Sequence, residues 1–138
     1  MVQKHRTSRQ ELDDLRAVVD RDLADAALAE LSADRRFATA YNAVLQLAKM
    51  AIACAGYRTT ARPRQHETTF RAATLALGAS SLKLAAYFDT CRIKRNQVEY
   101  DAAGVISDTE AVELAAKAEQ FRELVEKWIA KRAPRFAK

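Results

Sequence analysis

An arginine interrupts an apolar stripe on the predicted helix 81–99. At about 100° per residue, the residues of this stripe fall within about 40° of one direction. They are Leu84, Phe88, Cys91, Arg95 and Val98. A buried guanidinium needs a carboxylate, a set of carbonyls or an anionic ligand, because burying it alone is very costly. Two interpretations of Arg95 stay open: a structural ion pair with Glu99, four residues on, or a contact to a phosphate group.

A histidine lies on the apolar side of the predicted helix 66–77, where His66 and Phe70 face the same way. The two predicted helices reverse direction near residue 79, so we expect His66 to lie beside Arg92 and Arg95. Asn96 is a further polar residue there. Histidine can act as an acid or a base near neutral pH, although a single histidine on an apolar face is more often structural.

The charge is unevenly distributed along the chain. The net charge is +5, with acidic residues concentrated in 11–33 and 102–126. The predicted loop 56–65 holds Arg58, Arg62 and Arg64 and no acid before residue 66. We expect this loop, the end of the helix before it (Cys54 to Tyr57) and the start of the last helix (Ser107, Asp108) at the same end as His66. That end would bind anions such as a nucleotide or RNA, although solvated charged faces are an alternative.

The elements that must position these residues are helices. The 138 residues correspond to one domain, with short basic tails at 1–7 and 132–138. Three glycines and two prolines are too few turn residues for a many-stranded sheet protein. Two S-x-x-E capping boxes, Ser8 with Glu11 and Ser107 with Glu110, mark helix starts. The first helix is expected to run to about Leu31, and the C-terminal tail to fray. Short loops predict an all-α, antiparallel up-and-down bundle of four to five helices.

Several kinds of chemistry have no motif here. The chain has no glycine-rich phosphate loop, no GxSxG and no HExxH. Two histidines without a carboxylate–histidine spacing argue against a metal site, and we expect no cofactor. Cys54 and Cys91 lie in apolar helical runs and are expected to be reduced core residues. Without a signal peptide or a long apolar run, we expect a cytoplasmic protein that does not bind membranes.

Three segments together resemble the HEPN domain (higher eukaryote and prokaryote nucleotide-binding). They are RRFATAYNAVLQLAKMAIACAGYR (35–58), HETTF (66–70) and YFDTCRIKRNQVEYD (87–101). The similarity is one of order and character: a helix rich in tyrosine and alanine, a long loop, a short helix opening with histidine, and an arginine-rich helix ending in an acidic–tyrosine pair. It extends over about residues 20–130. The resemblance implies a helical bundle that forms a homodimer.

The same resemblance implies activities and partners. Many members of the family are metal-independent endoribonucleases, including toxins paired with a minimal nucleotidyltransferase antitoxin, and others bind RNA or nucleotides without cleaving them. The ribonucleases carry arginine followed, after four to six residues, by histidine. Here Arg95 is followed at the corresponding positions by Tyr100, Asp101 and Ala102, so the motif is broken. The form R-x3-E-Y resembles that of small single-domain members of the family.

Three functions are compatible with these residues. The favoured one is a non-catalytic module that binds RNA, a nucleotide or a protein partner through Arg92, Arg95 and the arginine loop. The second is a ribonuclease with altered catalytic residues His66, Arg95 and Tyr100. Tyrosine is a poor base because its ordinary pKa is about 10, so His66 would have to replace the missing histidine. The third is a structural or regulatory bundle that acts only through protein contacts.

Overall fold

The computed structural model describes residues 2–60, 65–100 and 105–138, with side chains described at all of these except 65 and 97–100. Within this part the chain forms five α-helices and two short strands, which confirms the predicted all-α helical bundle. The helices are α1 Arg9–Ala26, α2 Ala33–Cys54, α3 Gln65–Leu77, α4 Leu82–Tyr100 and α5 Asp108–Arg132. The strands are β1 Val2–Lys4 and β2 Tyr57–Thr59. None of the described helices combines the length and the apolar character needed to cross a membrane.

Helix α2 is the centre of the bundle and packs against the other four helices. It begins at Ala33 because the side chain of Ser32 accepts a hydrogen bond from the backbone N–H of Arg35. Its buried residues lie on nearly every side of the helix. They are Phe37, Ala40, Tyr41, Ala43, Val44, Leu45, Leu47, Ala48, Met50, Ala51, Ile52 and Ala53. Tyr41 is therefore surrounded by apolar packing on a helix at the centre of the bundle.

The helix ends follow the sequence signals with two exceptions. Gly56 and Gly78, with φ of 97° and 88°, follow α2 and α3, since glycine readily adopts the left-handed conformation that ends a helix. Ser107 and Glu110 form the predicted reciprocal capping box of α5. At α1, however, Ser8 accepts from the Glu11 backbone while the Glu11 side chain turns to His5 and Thr7 instead. Helix α1 also ends at Ala26 rather than near Leu31.

Helix α4 runs antiparallel to both α3 and α5. The Phe88 ring packs 6.1 Å from the ring of Phe70 and 5.2 Å from that of Phe121, measured between centroids. Two turns further along α4, Lys94 forms an ion pair with Glu110 near the start of α5. The end of α4 therefore lies at the start of α5, as expected from the sequence.

The start of α2 lies at this same end, which corrects one expectation. Arg36 donates to Asp108 over 2.5 Å, and the backbone N–H of Ile106 donates to Asp34 over 3.2 Å. The sequence placed the end of α2 there, and this placement is wrong. The ten residues between Cys54 and Gln65 can span about 30 Å, enough for the chain to return along α2.

The opposite end of the bundle holds both terminal segments, and both are ordered there. Strand β1 pairs antiparallel with β2, with Val2 opposite Thr59 and Lys4 opposite Tyr57. At the C-terminus, Pro134–Phe136 forms a 3₁₀ turn with the Phe136 side chain buried. The predicted fraying of the C-terminal tail is therefore wrong. The buried ring of Phe136 anchors the tail by an apolar contact, although the charge of the segment predicted a solvated tail.

Candidate functional site

The polar residues singled out from the sequence meet around one tyrosine of α2. Tyr41 is completely buried, with 0% relative exposure. His66 at the start of α3 and Arg95 near the end of α4 both contact its ring. We call Tyr41, His66, Arg92 and Arg95 the Tyr41 cluster.

His66 approaches the tyrosine through its hydroxyl. The Tyr41 hydroxyl lies 3.5 Å from Nδ1 of His66, and the ring centroids are 5.8 Å apart with a tilt of 44°. This distance is at the limit of a hydrogen bond, and which group donates depends on the imidazole tautomer. His66 is half-buried, so the imidazole is held against the core and still reaches the surface.

Arg95 approaches the same ring as a cation. Its guanidinium carbon lies 5.3 Å from the centroid of the Tyr41 ring, within the range of a cation–π interaction. Its Nε atom is buried, whereas the residue as a whole is partly exposed. The structure thus brings His66 and Arg95 together, as the antiparallel turn near residue 79 predicted.

The tyrosine keeps its proton under ordinary conditions. Burial raises the pKa of Tyr41 far above its usual value, and the positive charges of Arg95 and Arg92 offset only part of this effect. The hydroxyl is therefore a neutral hydrogen-bonding group that positions its neighbours, rather than a base. An acid–base step at this cluster would have to use another group.

Arg92 and Asn96 lie on the outer side of α4. Arg92 donates from Nε to Asp89 over 3.0 Å and is partly exposed. Asn96 is exposed. Arg92 therefore adds a positive charge next to Tyr41. Part of this charge is already neutralised by Asp89.

Aromatic packing holds the tyrosine in place. The Tyr41 ring meets Phe70 edge to face at 5.9 Å, and Phe70 in turn stacks on Phe88 at 6.1 Å. Phe70 and Phe88 are both buried. This rigid base fixes the position of the ring that His66 and Arg95 contact.

The predicted arginine loop is only partly described, and its described member lies elsewhere. Arg58 is in β2 at the opposite end of the bundle, near Glu11 and His5. Its expected place beside His66 and Arg95 is therefore wrong, because β2 pairs with the N-terminal strand. Arg62 and Arg64 lie outside the described residues. So do the side chains of Glu99 and Tyr100, and the predicted Arg95–Glu99 pair and the role of Tyr100 stay predictions.

Two features were missed from the sequence. Tyr41 is not among the candidate residues named from the sequence, although a tyrosine on an alanine-rich helix needs a partner for its hydroxyl, which is a usable signal. The second feature is a buried ionic cluster around Arg16 at the other end of the bundle. Among the described residues, no group of three or more His, Cys, Asp or Glu side chains could hold a metal ion.

Comparisons with known proteins returned no matching family model, no matching curated protein and no matching solved structure. The resemblance to the HEPN domain, the homodimer and the nucleotidyltransferase partner therefore stay predictions.

Proposed function

We propose that this protein is a helical RNA-binding module that uses the Tyr41 cluster to hold the RNA backbone without cleaving it. The observation that carries the proposal is the convergence of His66 and Arg95 on one buried ring. Such an arrangement gives a guanidinium a fixed position at the surface. A fixed guanidinium can donate two parallel hydrogen bonds to a phosphate group.

The charge of the region supports a polyanionic ligand. Arg92 and Arg95 lie side by side on α4, close enough for both charges to act on Tyr41. Phosphate contacts by arginine give most of the affinity of a protein for a nucleic acid backbone and make binding sensitive to salt. The whole chain also carries a net charge of +5, which favours encounter with RNA.

Binding without cleavage fits the titration properties of the cluster. Metal-free RNA cleavage needs a base for the 2′-hydroxyl and an acid for the leaving oxygen. Among the described side chains of the cluster, His66 is the only residue of a type that commonly acts as an acid or a base near neutral pH, and the pKa of Tyr41 is raised. One titrating group does not supply both roles in one step.

The test measures binding of a fluorescein-labelled single-stranded RNA of about 15 nucleotides by anisotropy at several salt concentrations. We expect Arg95→Met to weaken binding at least about tenfold and to lower the slope of log affinity against log salt. Arg71→Met is the matched control, because Arg71 is an exposed arginine on α3 paired with Glu67. It is expected to change the affinity less than about twofold.

Three outcomes contradict the proposal. The RNA-binding proposal is wrong if the unmodified protein binds no RNA at protein concentrations of tens of micromolar. If the protein cleaves RNA and His66→Ala abolishes the cleavage, the protein is a ribonuclease instead. Equal losses of affinity in Arg95→Met and Arg71→Met show that RNA binds by diffuse charge rather than at the cluster.

A further inference from the structure

A second candidate site lies at the opposite end of the bundle, in a cleft between α1, the end of α2 and β2. We call it the α1–β2 cleft. Its volume is about 260 Å³, room for a small molecule but less than the usual 300–1,000 Å³ of sites for drug-sized ligands. Leu15, Ile52 and Ala53 form an apolar floor. Polar side chains, including Lys49 and Arg58, stand at its rim.

The single carboxylate of the cleft is already engaged by its neighbours. Glu11 lies 2.8 Å from Nε2 of His5 and accepts a hydrogen bond of 2.7 Å from the Thr7 hydroxyl. Partial burial alone would raise the pKa of Glu11. The bonds from Thr7 and His5 and the charges of His5 and Arg58 instead hold that pKa below its usual value. Glu11 is therefore ionised at neutral pH and shared among groups on its own side of the cleft.

The two cations of the cleft differ in how fully the protein already engages them. Lys49 is on α2 and Arg58 on β2, so they face the cleft from two different elements. In the described part of the chain neither forms a salt bridge with an acidic side chain. Arg58 pairs with Gln3 across the two strands, and the Gln3 side-chain oxygen can accept hydrogen bonds from its Nε and Nη2 atoms, which fixes the guanidinium in place.

We propose that the α1–β2 cleft binds a small organic carboxylate with an apolar or aromatic body. The carboxylate would bind between Arg58 and Lys49, and the body would cover the floor of Leu15, Ile52 and Ala53. Lys49, Arg58 and the His5 imidazole outnumber the single carboxylate of Glu11 in the lining, which favours an anionic ligand. Lys49 supplies a point charge for the carboxylate, and Arg58, held by Gln3, adds a second positive charge beside it.

The test uses phenylacetate as the probe, with the whole chain labelled with ¹⁵N for NMR titration. Acetate keeps the charge without the body, and phenylacetamide keeps the body without the charge. We expect phenylacetate to bind with a Kd of about 1 mM, with shifts confined to the amides of the cleft. Acetate and phenylacetamide are expected to bind at least about tenfold more weakly.

Lys49→Met keeps the aliphatic stem of the lysine and removes its charge, and it is expected to weaken phenylacetate binding at least about tenfold. Lys83→Met, at an exposed position of α4, is the matched control and should leave the Kd unchanged. Arg58→Gln is a second variant at the rim and should weaken binding similarly if Lys49→Met fails to fold. Equal binding of phenylacetamide, shifts that spread outside the cleft, or tighter binding of inorganic phosphate at the same amides would overturn the proposal.

Discussion

Two arginines lie among apolar neighbours, at opposite ends of this bundle, and their surroundings differ. The side chain of Arg16 on α1 is only 8% exposed. It donates two bonds of 2.9 Å to the carboxylate of Glu126, one of 3.2 Å to Asp13 and one of 2.6 Å to the backbone carbonyl of Phe136. Arg95 on α4 instead lies over the Tyr41 ring and is partly exposed.

The difference separates a structural arginine from a candidate ligand-binding one. Every nitrogen of the Arg16 guanidinium donates to a protein oxygen, and the hydrogen bonds to Glu126 raise the pKa of Arg16 further. Arg16 ties α1, α5 and the C-terminal turn together. The described contact of Arg95 is with the Tyr41 ring, and part of the residue reaches the surface.

The largest expected effect is the loss of stability on replacing Arg16. Arg16→Met leaves the carboxylate of Glu126, whose side chain is 16% exposed, without its cation. Breaking a buried ion pair on one side lowers the free energy of unfolding by about 3 kcal/mol or more. Urea denaturation followed by circular dichroism measures the change.

A double variant is the control for this prediction. Replacing Glu126 as well, in Arg16→Met with Glu126→Leu, removes the stranded carboxylate, so part of the lost stability should return. A single variant that unfolds at the same urea concentration as the original protein would contradict the structural role of Arg16.

A smaller effect is expected at Cys54, which lies in the same end of the bundle. Burial raises the pKa of the Cys54 thiol from 9.0 to about 11, and the charge of Arg16 offsets this only partly. Two pKa units reduce the reactive thiolate at pH 8 about 100-fold relative to the unfolded chain.

Iodoacetamide labelling located by peptide mass spectrometry measures this effect. The rate at Cys54 in the folded protein should still be rising at pH 10, whereas the rate in urea should level off above pH 9. Between pH 9 and about pH 11 the thiol of Cys54 loses its proton in the unfolded chain and keeps it in the folded protein. The free energy of unfolding should therefore fall as the pH rises through this range. A folded-state rate that levels off at pH 9 would contradict the raised pKa.

The helices could be predicted from the sequence because their signals are local. Ser107 with Glu110, Gly56 and Gly78 mark helix ends through bonds and backbone angles within a few residues. The sheet between β1 and β2 could not be predicted from the sequence. It joins segments more than fifty residues apart, and each strand has only three residues. Pairing at that distance depends on the packing of the helices between them.

The part of the candidate site that one short turn brings together could be predicted from the sequence. The part that depends on the course of a longer connection could not. The short turn near residue 79 brings His66 to Arg95. Arg58 was misplaced because the longer connection after α2 allows more than one path. The same signal that identified Arg95 also exists at Arg16, whose stripe includes Leu12, Val19 and Leu23, yet only the packed structure distinguishes the two.

The smallest expected effect on stability is at Arg95 itself, and it decides between the two types of arginine. Arg95→Met keeps an apolar stem over the Tyr41 ring, and of the contacts that the structure describes it loses a cation–π contact worth about 0.5–1 kcal/mol. The free energy of unfolding should therefore fall by less than about 1 kcal/mol, measured in the same urea series as Arg16→Met. A loss as large as that at Arg16 would assign Arg95 to an internal ion pair, since only a stranded buried carboxylate produces a change of that size here. A small loss together with weaker RNA binding keeps Arg95 as the arginine that faces a ligand.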